Sequence, residues 1–208
     1  MRFFLDRLSG KDPAFSSPGD FFSRLPVLET EDLLLRAPRL SDTRSVYAYA
    51  SDPEVARYVL WDPHRSPADT RAFLRELRAR SRRGWPSSWV IVLRDSGLAI
   101  GTIGFLWYSA DNRSAEVGYS LSREYWNRGY MTQALRAVCA EAFRALPLNR
   151  LEAQYDLRNP ASGRVMDHTG FRQEGILRQR IYNKGEFVDV ALCSLLRSDL
   201  SGESTAPG

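Results

Sequence analysis

Two hydrophobic periods run along the 208-residue chain, and they separate strands from helices. Short apolar runs bounded by turn residues are typical of buried strands, whereas apolar residues three and four positions apart indicate amphipathic helices. The first pattern predicts strands over residues 28–38, 87–93, 99–108, 114–121 and 148–155, and two long strands on either side of a turn at 183–186.

The second pattern predicts four helices, two of which carry clear start signals. Asp42 is expected to cap the first helix and Ser66 the second, where Pro67 stands at the first helical position. The other two helices are predicted over residues 130–143 and 162–169.

The predicted order is strand, two helices, three strands, helix, strand, helix and two strands. The three consecutive strands, joined by tight turns, form an antiparallel meander. Because the regular alternation of a doubly wound nucleotide fold is missing and no internal repeat occurs, we predict a mixed α/β domain.

The domain is expected to occupy residues 28–200. Residues 1–27 mix aromatic residues with proline, glycine and serine without a sustained period, which predicts an irregular N-terminal arm whose five phenylalanines pack on the body. The last residues, 201–208, have nothing to bury and are predicted to be a disordered tail.

The composition fits a globular domain, with 43% hydrophobic and 26% charged residues. No stretch approaches the roughly 20 apolar residues of a membrane span, and Asp6 and Arg7 interrupt the apolar start of the chain. We therefore expect a cytoplasmic protein with no membrane partner. Cys139 and Cys193 lie inside apolar segments, which predicts that both pack in the core.

The net charge is +4, and every basic residue except Lys11 and Lys184 is an arginine. The densest basic run, residues 75–83, alternates with apolar positions in the way of a solvent-exposed helix face. A patch that docks on RNA stays open as the alternative, and steep salt dependence of binding would identify it.

Several catalytic schemes are excluded by the residues present. The chain has two histidines, His64 and His168, and no clustered cysteines, so we expect no metal site. It has neither a G-x-S-x-G elbow nor a P-loop, and the glycine pair at 101–104 continues as a strand where a dinucleotide fingerprint requires a helix.

The most informative stretch, residues 124–138, places an Arg-Gly turn between a strand and an amphipathic helix. A helix start offers unpaired N–H groups and about half a positive charge, so it can hold a pyrophosphate. Gly129 would let the backbone approach the anion, and Arg128 would add a charged contact. An ordinary turn from strand to helix remains the alternative.

Four segments, in this order, resemble the GNAT superfamily of acyl-CoA-dependent N-acetyltransferases, in particular its RimJ/RimL branch of ribosomal-protein N-terminal acetyltransferases. They read AEVGYSL, YWNRGYMTQA, RLEAQYDLRNPASGRVMDHTGFRQEG and DVALCSLL, and the resemblance spans residues 28–200. It implies a mixed α/β (α+β) fold with a central, mostly antiparallel sheet flanked by helices. It also implies transfer of an acetyl group from acetyl-CoA to an amine.

The resemblance assigns the coenzyme A pyrophosphate to the family's Q/R-x-x-G-x-G/A loop. The residues implied by the match are Asn127, Arg128, Gly129, Tyr130, Met131 and Thr132. Trp126 replaces the usual Gln or Arg, and Met131 stands where Gly or Ala is usual, so the Met131 side chain must point away from the phosphates.

The family's N-x-x-A/S segment matches Asn159 and Ser162, beside the pantetheine arm. Many relatives carry, four residues later, a tyrosine that protonates the leaving thiolate, and this chain has Met166 there. Ser162, a water molecule or another tyrosine must then supply that proton. The alternatives are a turn and helix cap for Asn159 and an ordinary first-turn residue for Ser162.

The resemblance places Glu116 where relatives bind the amine or hold the general base. An α-amino group, with a pKa of about 8, needs little help to lose its proton, so one carboxylate acting through water would suffice. An exposed strand carboxylate is the alternative. Backbone N–H groups from Val117 to Tyr119 would contact the cofactor and stabilise the oxyanion, provided that a bulge leaves them unpaired.

Acceptor-side residues are harder to predict from sequence. Tyr58 and Trp61 lie where relatives build a substrate wall, and Tyr182, Asp111 and Tyr119 would line the opposite side. Aromatic residues at such positions are as often part of the core.

The leading hypothesis is acetylation of a protein N-terminal α-amino group, with a ribosomal protein, acetylated on alanine, as the acceptor expected from the family. One alternative is acetylation of a small amine, such as a polyamine, amino acid or antibiotic, which a cleft rich in carboxylates would favour. Another is a non-catalytic acyl-CoA-binding module. A monomer and a homodimer are both compatible with the sequence.

Overall fold

A computed structural model describes residues 15–201, with eight strands, seven α-helices and two short 3₁₀ helices in that range. The strands are β1 (Leu28–Glu29), β2 (Leu33–Arg36), β3 (Ser88–Leu93), β4 (Ala99–Ser109), β5 (Ser114–Leu121), β6 (Arg150–Asp156), β7 (Arg172–Asn183) and β8 (Glu186–Leu196). The helices are α1 (Pro18–Ser23), α2 (Thr43–Ala50), α3 (Pro53–Ala56), α4 (Pro67–Arg82), α5 (Tyr130–Ala145), α6 (Pro160–Thr169) and α7 (Arg197–Ser201).

All eight strands form one sheet in the order β1-β2-β3-β4-β5-β6-β8-β7. Every neighbouring pair is antiparallel except β5 and β6, which run parallel. The predicted meander of β3, β4 and β5 and the predicted β7–β8 hairpin are confirmed, as is the mostly antiparallel sheet with flanking helices.

The sheet is buried on both faces. Alternate residues of β3 show this, because they belong to two different core clusters. Trp89 and Ile91 belong to the larger core cluster, together with residues of α1 and α5. Val90 and Val92 belong to a second cluster, with residues of α2 and α4. Cys139 and Cys193 are both buried in the larger cluster as free thiols, as predicted.

The strand predicted over 28–38 is divided in two. The Thr30 N–H donates to the Leu33 carbonyl at 2.9 Å, which closes a turn, and β1 folds back on β2 with Leu28 opposite Leu35. The short polar stretch at residues 30–32 interrupts the apolar run, which explains why one strand becomes two.

The prediction of an irregular arm over residues 1–27 is wrong for Pro18–Ser23, which form the helix α1. Ser17 caps this helix by accepting a hydrogen bond from the Asp20 N–H, and Pro18 occupies its first turn. Phe21 and Phe22 are fully buried in the larger core cluster, and Phe15 packs against it. Phe3, Phe4 and the tail at 202–208 lie outside the described residues.

Both helices with predicted capping residues start where expected, but only one of the two residues forms the predicted cap. Ser66 caps α4 in a capping box with Asp69, as the Ser-Pro signal predicts. Asp42 precedes α2 as predicted, yet its carboxylate accepts two hydrogen bonds from Arg36, at 2.9 and 2.6 Å, and none from the helix. Over residues 15–201 no helix has the length and apolar character needed to cross a bilayer.

Candidate active site

A cleft opens in the sheet where β5 and β6 separate. The two strands pair only from Ser114 opposite Arg150 to Glu116 opposite Glu152. Beyond this ladder, the edge of β5 that faces β6 has no strand partner. Backbone N–H and C=O groups along that edge are therefore available to a ligand.

The pairing of β5 with β4 shows which backbone groups face this cleft. The Ser122 N–H donates to the Ile100 carbonyl at 2.7 Å, and the side toward which backbone groups point alternates along an antiparallel strand. Even-numbered residues of β5 therefore bond to β4, and Val117 and Tyr119 direct their N–H groups toward β6 and the cleft. The parallel ladder that ends with Glu116 opposite Glu152 pairs the Val117 N–H with the Glu152 carbonyl, so Tyr119 carries the first unpaired N–H of this edge. The Leu121 carbonyl points the same way and accepts a hydrogen bond from the Trp126 indole at 2.8 Å.

The bulge predicted in β5 is in β4 instead. The register shifts between Phe105 and Trp107, opposite Val117 and Glu116, so the extra residue lies on β4. From the Val117 carbonyl onward, the β5 groups that face β6 have no strand partner because β6 diverges from β5.

The start of α5 lies in the same cleft. Asn127 and Gly129 both have positive φ, 60° and 77°, and a Cβ atom on Gly129 would have no heavy atom within 4 Å. The first backbone bond of the helix runs from the Gln133 N–H to the Gly129 carbonyl, so the preceding N–H groups have no helical partner. Met131 is buried in the core, which leaves the backbone of this turn open to the cleft, as the sequence requires.

The start of α6 forms another wall. Asn159 caps this helix, its side-chain oxygen accepting from the Ser162 N–H at 3.4 Å and its amide donating to Ser162 Oγ at 3.2 Å. The Tyr119 hydroxyl donates to the Ser162 carbonyl at 3.1 Å. Burial raises the pKa of Tyr119 well above its usual value, so this hydroxyl stays protonated and joins β5 to α6.

These walls enclose a cavity of about 550 Å³. Of the residues predicted for the site, it is lined by Tyr58, Tyr119, Asn127, Gly129, Tyr130, Met131, Thr132, Asn159 and Ser162. Its volume falls in the usual range for small-molecule sites. The unpaired N–H groups at the start of α5 suit a phosphate-bearing ligand, and the open β5 edge suits the amides of an extended arm.

Several predicted residues lie outside this lining. The Arg128 guanidinium lies over the Tyr125 ring at 5.4 Å, and Trp61 packs against the second core cluster and the His64 ring. Tyr182, on β7, is 65% exposed and contacts Phe187. Asp111 is exposed in the β4–β5 turn.

Glu116 is neither an exposed strand carboxylate nor part of the cavity wall. It is 7% exposed, and its carboxylate accepts hydrogen bonds from the Trp107 indole and, at 2.8 Å, from the Gln154 amide. Val117, the next residue, was predicted to contact the cofactor, but it is buried and also lies outside the lining, at the point where β5 and β6 diverge. A water molecule would have to connect Glu116 to a ligand in the cavity.

The lining also includes Glu54, Val59, Arg164 and His168, which the sequence did not single out. Glu54 belongs to α3, whose Asp52 cap and Pro53 start are a readable signal. Arg164 and His168 are four residues apart, which places them on one face of α6. Once Ser162 was assigned to the site, this spacing could have predicted that Arg164 and His168 lie together on one face of the same helix.

The end of the cavity that Tyr58 and Val59 line is held by a contact between residues distant in sequence. Lys184, at the tip of the β7–β8 hairpin, donates from Nζ to the carbonyls of Ala56, at 2.9 Å, and Val59, at 2.6 Å. Burial lowers the pKa of this ammonium below its usual value. The contact fixes the segment that carries Tyr58 and Val59 into the cavity wall.

No group of three or more His, Cys, Asp or Glu side chains converges on a common point in the part of the chain that the structure describes.

Comparison with known proteins agrees with this geometry. Residues 32–172 match the model of the acetyltransferase (GNAT) domain family. The uncharacterized N-acetyltransferase p20 of Bacillus licheniformis is 32% identical over 178 residues, covering 86% of this chain and 100% of that protein. The ribosomal-protein-serine acetyltransferase of Escherichia coli (strain K12) is 30% identical over 127 residues, covering 61% of this chain and 70% of that protein.

Among solved structures, RimL, a ribosomal L7/L12 alpha-N-protein acetyltransferase in complex with coenzyme A, superposes with a TM-score of 0.75. It is 22% identical and covers 82% of this chain and 98% of that chain, a likeness that shows the shared fold. The family match and the likeness to p20 along its whole length show that this chain belongs to the GNAT family of N-acetyltransferases, enzymes that transfer an acetyl group.

Proposed function

We propose that the enzyme transfers an acetyl group from acetyl-CoA to the N-terminal α-amino group of a protein, with a ribosomal protein as the expected acceptor. The observation that carries the proposal is that the start of α5 and the unpaired edge of β5 share one cavity. The first supplies N–H groups for a pyrophosphate and the second supplies N–H groups beside an extended thioester arm.

Donor binding is assigned to the turn before α5 and to the β5 edge. The backbone N–H groups of residues 129–132 would bind the pyrophosphate, and their partial positive charge suits it. Asn159 would bind the amides of the arm, which ends near Ser162. Arg128 would bind phosphate only if its side chain left the Tyr125 ring.

For the transfer step, we assign each group a role that its chemistry allows. The N–H group of Tyr119 would donate to the oxygen on which negative charge develops, because the Val117 N–H is already paired with the Glu152 carbonyl. Ser162 Oγ would donate a proton to the departing sulfur and regain one from solvent water, because Met166 is buried in the core and carries no acidic proton. Glu116 would accept the proton of the amine through a water molecule.

The cavity wall favours an α-amino group over a polyamine. Glu54 is its one carboxylate among the described residues, and it is accompanied by Arg164 and His168. A polycationic amine would require several carboxylates to offset the loss of water around its charges. The name of the E. coli relative, a ribosomal-protein-serine acetyltransferase, supports a protein acceptor.

The test is a mass-spectrometric assay of the whole chain with acetyl-CoA and three acceptors. These are a peptide with a free N-terminal alanine or serine, the same peptide with a blocked N-terminus and one free lysine, and spermine. We expect one acetyl group on the free α-amine, and a lower turnover for Ser162→Ala with little change in the Michaelis constant for acetyl-CoA. Acetylation of spermine or lysine alone would overturn the acceptor assignment, and coenzyme A binding without any transfer would indicate a non-catalytic module.

A further inference from the structure

A row of arginines runs along the outer face of α4. Arg71, Arg75, Arg78 and Arg82 are all exposed, and their spacing of four, three and four residues places them within an arc of about 60° at 100° per residue. From Arg71 to Arg82 the row extends about 16 Å at 1.5 Å per residue. We call these four residues the arginine stripe.

The arginine stripe has no internal counter-charge. Within residues 15–201 none of its four guanidinium groups forms an ion pair or a hydrogen bond to another residue. The two acidic residues of α4, Asp69 and Glu76, lie about 140–160° around the helix from Arg71. Asp69 is occupied at the helix start, where its carboxylate accepts from the backbone N–H groups of residues 65 and 66.

This arrangement opposes the stability of the helix that carries it. Arg71 and Arg75, Arg75 and Arg78, and Arg78 and Arg82 are like charges at spacings of three or four residues, which destabilises a helix. Residues 66–83 have a net charge of +4, so the rest of the chain has equal numbers of basic and acidic side chains. The excess charge of the protein is therefore concentrated on this helix.

We propose that the arginine stripe binds the phosphate backbone of RNA. A row of unpaired guanidinium groups matches a row of phosphates, and each flat guanidinium can also stack on the unpaired bases that RNA presents in loops. The stripe lacks the asparagine and glutamine side chains that read adenine in the DNA major groove.

Other partners fit this face less well. A stable protein partner would need large apolar or aromatic anchors, and the exposed residues beside the arginines on this side of α4 are the small Pro67, Ala68 and Ala72. A membrane would require an exposed apolar face, whereas Leu74 and Leu77 are buried in the protein. No residue of α4 lines the cavity, so RNA binding and acetyl transfer can be measured independently.

The test is fluorescence anisotropy of a labelled RNA hairpin of about 20 nucleotides, titrated with the full chain at several salt concentrations. With four phosphate contacts, we expect the affinity to fall roughly 100-fold between about 50 and 200 mM salt. The double variant R75Q/R78Q should bind at least tenfold more weakly, and its salt slope should fall by about 2. Glutamine has a similar helix propensity, so the variant should keep its peptide acetylation rate.

The matched control is R178Q/R180Q, which removes two exposed arginines from β7 and leaves α4 intact. It should bind the hairpin like the wild type. Equal loss of binding in both variants would show that binding follows net charge alone and would overturn the proposal. Tighter binding of poly-L-glutamate, or of a DNA duplex, than of the RNA hairpin would overturn the choice of partner.

Discussion

The buried carboxylate of Glu116 is held by hydrogen bonds from residues on two neighbouring strands. It receives hydrogen bonds from Trp107 on β4 and Gln154 on β6, and within residues 15–201 it forms no ion pair. The side-chain oxygen of Gln154 is buried without a partner. Replacing Glu116 by leucine would leave two buried donors unpaired, at a cost of about 1–3 kcal/mol each.

We expect Glu116→Gln to fold with little loss of stability. The Gln154 amide can turn over and present its unpaired oxygen to the new amide, while the Trp107 indole keeps its acceptor. If Glu116 acts as the base, the rate of peptide acetylation at neutral pH should fall by about 100-fold or more. The deficit should shrink as pH rises through the α-amino pKa of about 8, because more of the acceptor is then already neutral.

The control is Glu152→Gln, which changes the carboxylate opposite Glu116 on β6, where it pairs with Arg150 and does not line the cavity. A defect in the Michaelis constant of the acceptor that persists at high pH would assign Glu116 to acceptor binding. Wild-type kinetics at every pH would make Glu116 structural.

Two elements distant in sequence meet where the β7–β8 hairpin contacts the segment after α3. The turn residues Lys184 and Gly185 both have positive φ, 49° and 92°, as a two-residue hairpin turn requires. Asn183 adds a bond from its amide to the Val59 carbonyl at 3.3 Å. The hairpin thereby supplies donors to the carbonyls of Ala56, the last residue of α3, and of Val59, three residues beyond it.

We expect Lys184→Asn to weaken acceptor binding while leaving donor binding unchanged. Asparagine tolerates the positive φ and forms a favourable turn with Gly185, but its side chain is too short to reach Ala56 and Val59. The Michaelis constant of the peptide should rise about 3- to 10-fold and the free energy of unfolding should fall by about 1–2 kcal/mol.

Lys184→Arg, which keeps a charged donor, should restore part of the peptide affinity. An equal rise in the Michaelis constants of peptide and acetyl-CoA would contradict the assignment of this contact to the acceptor side. Steady-state kinetics with each substrate varied in turn supply both values.

Over the whole molecule, the cavity joins elements from both halves of the chain. Its walls come from α3, β5, α5 and α6, and β5 continues directly into the core of the sheet. A ligand that binds these walls only in the folded state must stabilise the entire domain.

Coenzyme A at 100 times its dissociation constant should therefore raise the free energy of unfolding by about 2.7 kcal/mol. For a protein of this size, that corresponds to an increase in melting temperature of about 5–10 °C. Gly129→Val should abolish the increase, because the side chain would project into the space where the anion approaches the backbone. Differential scanning fluorimetry measures both effects.

Gly97→Val is the matched control, since Gly97 also has a φ of about 70° and open space around its Cβ position but lies in the β3–β4 turn. Both variants should lose about 1–2 kcal/mol of stability from the strained backbone. Only the Gly129 variant should lose the response to coenzyme A. A folded wild type that shows no increase at millimolar coenzyme A would remove the donor assignment.

Features that depend on residues close together in the chain could be predicted from the sequence. The caps at Ser66 and Asn159, the helical period of α5 and the turn at Gly129 are local, and four motifs in fixed order identified the family. Local backbone preferences and side-chain periods act within a few residues, so each of these could be predicted without coordinates.

Tertiary structure decided what depends on distant residues. Glu116 lies between donors from two other strands, and Lys184 contacts Val59, more than a hundred residues away in sequence. Trp61 and Tyr182 lie outside the cavity lining. Tertiary structure also turned the stretch around Phe21 into a buried helix, because a six-residue helix gains its stability from packing rather than from its own sequence. Burial and hydrogen-bond partners arise only when the elements pack together, and a one-dimensional pattern does not contain them.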